Sequence, residues 1–267
     1  LNLASNGIFL TQRIATGPRR KTIRFRKADF TNRGRISSFR HMRYLKPLIA
    51  AIVTVLFASC ALENQSSSAR LAAYNAYDRP AKLPSNPSNV RVKVSLNTAI
   101  AYVMEGDTPL LVMPVGVGKP DSPTPQGNYR IFHKNHHRRA NTHGIALNNG
   151  TVRRTWARDV RSGDNFIGTP MPYWCEFKPA YGFHIGWVRP DPSTHGCIRM
   201  HHNIAPKFFR IVSTGTPVHI ARSHPEDATL GREIMANRPN AAGLPDQPLE
   251  YYRTNKYFTD HKTPVFE

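Results

Sequence analysis

Val90-Arg91-Val92-Lys93-Val94-Ser95-Leu96 alternates apolar and polar residues with a period of two. Successive side chains of a strand point to opposite faces, so this run predicts a half-buried β-strand. Asn97-Thr98 reads as a turn and Ala99 to Glu105 as a second strand. Gly106-Asp107 turns the chain again, and the nearly all-apolar run from Leu110 to Val117 reads as a buried strand. Strands joined by short polar turns predict a β-meander, and with it a mainly β domain.

Downstream, Gly118 to Gly127 carries Pro120, Pro123 and Pro125, which cannot donate to a ladder, so a loop follows. Asn128 to His133 resumes a strand, with Tyr129, Ile131 and His133 on one side. His136-His137-Arg138-Arg139 reads as a solvated basic loop, ahead of a contact for anionic wall polymer. Residues 149–170, with Gly, Asn, Asp and four arginines, read as a long loop or lid. Residues 203–213 are the best helix candidate, with Pro206 in the first turn, and Thr216 to Ala221 closes as a final strand. The expected domain therefore spans residues 88–222, mainly β with one or two short helices. The polar residues 223–267 are expected to pack on its surface or to be partly disordered.

Upstream, Met42 to Cys60 has the parts of an export signal. Arg43 and Lys46 give a short positive segment, and Leu48 to Phe57 is an apolar run broken only by Thr54. That run is well short of the roughly 20 apolar residues of a spanning helix. Ala58-Ser59-Cys60 resembles the lipobox of bacterial lipoproteins, with Phe57 where Leu is usual, and Cys60 is then the lipidation site. The alternatives are an ordinary secretory signal or an uncleaved anchor. Residues 1–41 are expected to be translated sequence ahead of a true start at Met42, or a disordered basic segment. Residues 61–87, polar and holding Gln65-Ser66-Ser67-Ser68, Pro80, Pro84 and Pro87, read as a tether.

The formal net charge is +20, and residues 88–222 alone carry a net of +10. A basic body favours an anionic partner, but nucleic acid, lipid headgroups and carboxylate-rich wall peptides all satisfy that. A basic arm at Arg19-Arg20-Lys21 placed before an export signal is an odd arrangement, so a nucleic-acid partner is not expected.

The chemistry concentrates in Tyr181-Gly182-Phe183-His184-Ile185-Gly186-Trp187 and Ser193-Thr194-His195-Gly196-Cys197-Ile198-Arg199-Met200. If 181–187 is a strand, Phe183, Ile185 and Trp187 share one face and His184 stands on the other between two glycines. That uncrowded face has room for a second catalytic group and a substrate. A thiol is a weak nucleophile until a base takes its proton, which points to Cys197 with His184. Gly196 permits unusual dihedrals, backbone amides at such a turn can face an oxyanion, and Arg199 suits a carboxylate.

These two stretches resemble the signature of the YkuD-type L,D-transpeptidase family. Gly116-Val117-Gly118-Lys119-Pro120, Thr124-Pro125-Gln126-Gly127-Asn128-Tyr129 and Met171-Pro172-Tyr173-Trp174 resemble that family's segments before the site. The resemblance implies a β-sandwich-like catalytic domain that acts on peptidoglycan stem peptides without a cofactor or metal. It implies Cys197 as nucleophile, His184 as base and later acid, and a carbonyl near Ile185 orienting His184. His195, Gly196 and Arg199 would shape the oxyanion and substrate pocket. The implied reaction releases D-Ala from a tetrapeptide stem and transfers the acyl group to an amine, cross-linking 3→3 or attaching a protein. The His184-to-Cys197 interval is shorter than in many relatives, and Arg199 stands where some have Asn.

Rival readings remain. An L,D-carboxypeptidase or endopeptidase would pass the same acyl-enzyme to water, and a wall-binding lipoprotein would use only the basic face. A zinc site from Cys197, His184, His195 and His143 lacks the usual ligand spacing. Cys175 is expected as a packed thiol beside Trp174 rather than a disulfide partner of Cys197, and His201-His202 as surface residues. The expected location is the periplasm, held to the membrane by the lipid anchor or signal. The oligomeric state is left open.

Overall fold

The computed structural model describes residues 67–245 and 247–267. The expectations for 1–41, for the signal at 42–60 with Cys60, and for 61–66 lie outside the described residues.

The meander forms as read. Its strands are β1 (Val90–Ser95), β2 (Ile100–Glu105) and β3 (Thr108–Pro114). Val90, Val92 and Val94 of β1 are all buried, while Arg91 between them is exposed. Ala99 takes φ 50° at the β1–β2 turn, so β2 starts one residue later than expected. β10 (Pro217–Ala221) adds parallel to β1, and β4 (Gly127–Arg130) pairs antiparallel with β10. The first sheet therefore runs β3-β2-β1-β10-β4.

The expected strand from Asn128 to His133 is two strands in two sheets. At Ile131 the chain leaves the first sheet: the Ile131 amide bonds the Thr216 carbonyl and the Phe132 amide that of Glu176, both at 2.9 Å. Ile131 is fully buried at the crossing. β5 (His133–Asn148) then opens the second sheet, β6-β5-β7-β8-β9, with β6 (Thr151–Trp156), β7 (Asn165–Lys178), β8 (Tyr181–Ile185) and β9 (Ile198–Met200). Residues of both sheets share one apolar cluster, from Val92 and Ile220 to Phe183 and Ile198. The core is thus the space between two mixed sheets, and α2 (Ala205–Ile211) buries Phe208 and Ile211 in it.

Three further expectations are corrected. The basic run 136–139 is not a solvated loop but the middle of β5, paired with β7. Arg139 donates to the carbonyls of Gly168, Tyr252 and Thr254, so its charge is spent on backbone carbonyls. Residues 149–170 are not a loop: β6 and the start of β7 extend the sheet on both sides of β5 residues 143–148. From residue 67 the expected tether is folded, because a helix α1 (67–76) seats Tyr74 against Trp187 and His201.

Within residues 88–222 the short helix α2 matches the one or two expected. The tail also belongs to the fold, forming α3 (Leu230–Ala236), α4 (Leu249–Arg253) and α5 (Lys256–Thr259). Ile234, Tyr252 and Phe258 are buried, which explains why a tail of polar average composition packs. No described helix is long and apolar enough to cross a membrane.

Candidate functional site

The cysteine turn is fixed from below by the strand that precedes it in space. The amides of Ser193 and Thr194 both donate to the Val117 carbonyl, and Gly116 and Arg199 exchange two bonds of 2.9 Å each. The sequence 116–119 thus splices the meander to the turn. Thr194, only 1% exposed, is the internal brace. Its hydroxyl donates to the Cys197 carbonyl at 2.7 Å and accepts from the Gly196 amide at 3.0 Å. Gly196 sits at φ +104°, and a Cβ there would lie 2.5 Å from the Tyr181 ring, so no other residue fits the turn.

Gly196 therefore supplies conformation, not an oxyanion donor, because its amide is already taken by Thr194. Among the described residues the amides of His195 and Cys197 have no acceptor in the chain. Thr194 is the site residue that sequence reading left out of the candidate set. Its signal was a hydroxyl three residues before the cysteine, a spacing suited to a turn brace.

Cys197 packs against the Ala140–Met171–Trp174 cluster. Its Sγ lies 3.7 Å from the Ala180 carbonyl, in the left-handed turn that joins β7 to β8. Burial pushes the thiol pKa up, while a bond from the Gly182 amide and the Arg199 charge pull it down.

His184 is 8% exposed, on β8 beside β9, which begins one residue after Cys197. Its Nδ1 lies 2.7 Å from the Ile185 carbonyl, so Nδ1 carries the hydrogen and Nε2 keeps the lone pair. Burial first, and the Arg199 charge second, bring its pKa down to about 3. Both shifts favour a neutral thiol beside a neutral imidazole. The Trp174 ring, 6.0 Å from that of His184, belongs to the cluster against which Cys197 packs.

The glycines flanking His184 do not leave open space. A Cβ at Gly182 would meet the Trp174 ring at 2.8 Å, and one at Gly186 would meet Arg199 Cδ at 2.7 Å. The two gaps are filled by an aromatic plate and a guanidinium stem. Arg199 is the register partner of His184 across the parallel β8–β9 pair. Among the described residues no carboxylate pairs with it.

His195 contributes its ring to a wall. It lies 5.3 Å from Trp156 and 5.8 Å from His143, ring centre to ring centre. Trp156 stands on β6, within the stretch 149–170 read as a loop or lid, and His143 on β5 just before it. Among the described residues no three His, Cys, Asp or Glu side chains gather as a metal ligand set. Cys175 is a fully buried free thiol in the main core, its pKa pushed up to about 12 by burial. His201 is not a surface residue: it is fully buried, with Nε2 2.7 Å from the Tyr74 carbonyl.

Residues 89–220 match the YkuD family model, described as the L,D-transpeptidase catalytic domain. Among solved structures the chain is similar to the L,D-transpeptidase (Yku) of Stackebrandtia nassauensis, at 18% identity over 54% of this chain and 60% of that one, with a TM-score of 0.38. It is similar to L,D-transpeptidase 1 of Mycobacterium tuberculosis, at 18% identity over 50% of this chain and 61% of that one, with a TM-score of 0.36. The L,D-transpeptidase of Mycobacterium smegmatis matches at 18% identity over 50% and 58%, with a TM-score of 0.38. The chain spans about three fifths of the length of these structures. No curated protein matches it.

Proposed function

Starting from residues 89–220 as a YkuD-type L,D-transpeptidase catalytic domain, we propose that the chain is a peptidoglycan transpeptidase working through a Cys197 acyl-enzyme. The observation that carries this is the tethered imidazole of His184. Its Nδ1 bond to Ile185 leaves Nε2 as the free base, on a ring beside Trp174, a member of the cluster that Cys197 packs against.

His184 Nε2 takes the thiol proton as Sγ forms a bond to the carbonyl carbon of the stem's third residue. The free amides of His195 and Cys197 face the oxyanion that results. Collapse breaks the C–N bond, and the imidazolium gives its proton to the departing D-Ala amine. An acceptor amine then attacks the thioester, its proton passes to His184, and the C–S bond breaks. Arg199, a cation without a carboxylate partner in the described chain, holds a stem carboxylate. The neutral resting pair supports base-assisted attack rather than a stored thiolate. The export-like segment 42–60 supports work in the cell envelope, and Cys60 is the proposed point of lipid anchorage.

The test is mass spectrometry of the full chain, kept reduced, with a disaccharide-tetrapeptide. Expected are D-Ala release and a cross-linked dimer, both lost in Cys197→Ala. Tripeptide without dimer would indicate transfer to water, and turnover retained in Cys197→Ala would sink the proposal.

A further inference from the structure

Behind the His184 wall lies a pocket of ≈ 760 Å³ that the catalytic domain does not close by itself. Its floor is Ile185, Gly186 and Trp187, which continue β8 past the histidine. The other walls come from α1, before residue 89, from His202 and Asn203, and from Pro245 and residues within 247–262 of the tail. Such a volume suits a small organic ligand.

The lining has a particular chemistry. Tyr74 and Trp187 stand edge to face at 4.9 Å, and Tyr251 and Tyr257 do so at 5.4 Å. Between these aromatic pairs the polar groups are mostly neutral: Asn75, Asn203, Gln247 and Thr259 among them. Two buried polar atoms on this lining lack a partner among the described residues, the donor Trp187 Nε1 and the acceptor Asn203 Oδ1. Native proteins rarely leave buried donors and acceptors unpaired, so these two residues add hydrogen-bonding capacity next to the pocket. Flat apolar faces combined with neutral donors and acceptors match a sugar ring, with C–H faces and equatorial hydroxyl or amide groups.

The pocket is also joined to the site. The Arg199 stem and Nε occupy the space over Gly186, at 2.7 to 3.2 Å from where a Cβ would be. The guanidinium charge is near enough to act on both Cys197 and the lining residue Tyr257. A donor whose acyl carbon is at Cys197 and whose carboxylate at Arg199 precedes the scissile carbonyl in the stem continues into the pocket with the part furthest from D-Ala. In a wall stem that part is the end attached to the glycan.

We propose that this pocket binds the glycan end of the donor, an N-acylated amino sugar. The inference rests on the transpeptidase reading for its substrate, and segments outside residues 89–220 close the pocket over a floor that lies inside them.

The experiment is ligand-observed NMR on the full chain, with peptide-free N-acetylglucosaminyl-N-acetylmuramic acid and, separately, sugar-free tetrapeptide. The expected result is glycan binding that weakens about tenfold in Tyr251→Ala and in Gln247→Ala, the scale of losing one aromatic or hydrogen-bonded contact. The preference of Cys197 acylation for disaccharide-tetrapeptide over free tetrapeptide should fall by a similar factor. No glycan signal, or equal affinity in wild type and both variants, overturns the proposal. So does a loss confined to free tetrapeptide, which would make the pocket a peptide site. Glycan binding is read without turnover, so an inert Cys197 with intact glycan binding would sink the transpeptidase reading and leave the pocket assignment standing.

Discussion

His184 and Arg199 are register partners across the parallel β8–β9 pair, so a buried imidazole stands beside a guanidinium that has no carboxylate partner among the described residues. The cation is one of the causes, after burial, that hold His184 far below the usual histidine range. The imidazole therefore stays neutral, with a free lone pair, down to about pH 3.

Arg199→Met removes that cation, so the protonated imidazole is less disfavoured and the His184 pKa rises. The acid limb of the Cys197 acylation rate should move to higher pH, and KM for a carboxylate-bearing donor should increase. A pH–rate profile with the limb unmoved would show that the arginine does not act on the base.

Thr194→Val keeps the shape of the brace but deletes both of its hydrogen bonds. The Gly196 amide is left buried without an acceptor, at a cost of about 1–3 kcal/mol. The turn that carries Cys197 loosens, so the acylation rate should fall more than the melting temperature suggests. Thr194→Ser should recover most of the rate, and an unimpaired valine variant would rule out the brace.

Gly182→Ala drives a methyl against the Trp174 ring, which should destabilise the fold by about 1–3 kcal/mol. Trp174→Phe withdraws the six-membered ring that the methyl meets. In a denaturant double-mutant cycle the pair should be less destabilised than the sum of the singles. Additive values would mean that the plate moves aside freely.

His201 gives the fold an acid limit. It is fully buried, its Nε2 bonds the Tyr74 carbonyl, and its Nδ1 accepts from the Asn203 amide at 3.2 Å. Protonating Nδ1 destroys that acceptor, and burial holds the pKa down to about 3. The unfolded chain takes up this proton below about pH 6.5 while the folded chain does not, so stability falls as pH drops from there toward 3. His201→Gln should give a shallower loss of melting temperature over that range, with the other buried histidines supplying the rest. An unchanged slope would exclude His201 as a contributor.

The sequence by itself determined the local order. Alternation in Val90–Leu96 sets a half-buried strand because side-chain direction has period two. The stretch Thr194 to Arg199 carries its own turn geometry, since a glycine at positive φ and a hydroxyl two residues before it are local requirements. For the same reason His184 and Cys197 were legible as a pair of chemical types. Composition misled where a long-range partner decided the outcome. The basic run 136–139 is strand because β7 pairs with it, and Arg139 is satisfied by carbonyls more than a hundred residues away at Tyr252 and Thr254. The split at Ile131 depends on which sheet offers the next hydrogen bond, a choice between Thr216 and Glu176 that no local pattern records. The contents of the glycine gaps, Trp174 from β7 and the Arg199 stem from β9, were likewise set only when the second sheet assembled. Short-range dihedral and periodicity rules fix elements and turns. Pairing and burial between distant segments fix which surfaces are filled, and only the tertiary structure decides those.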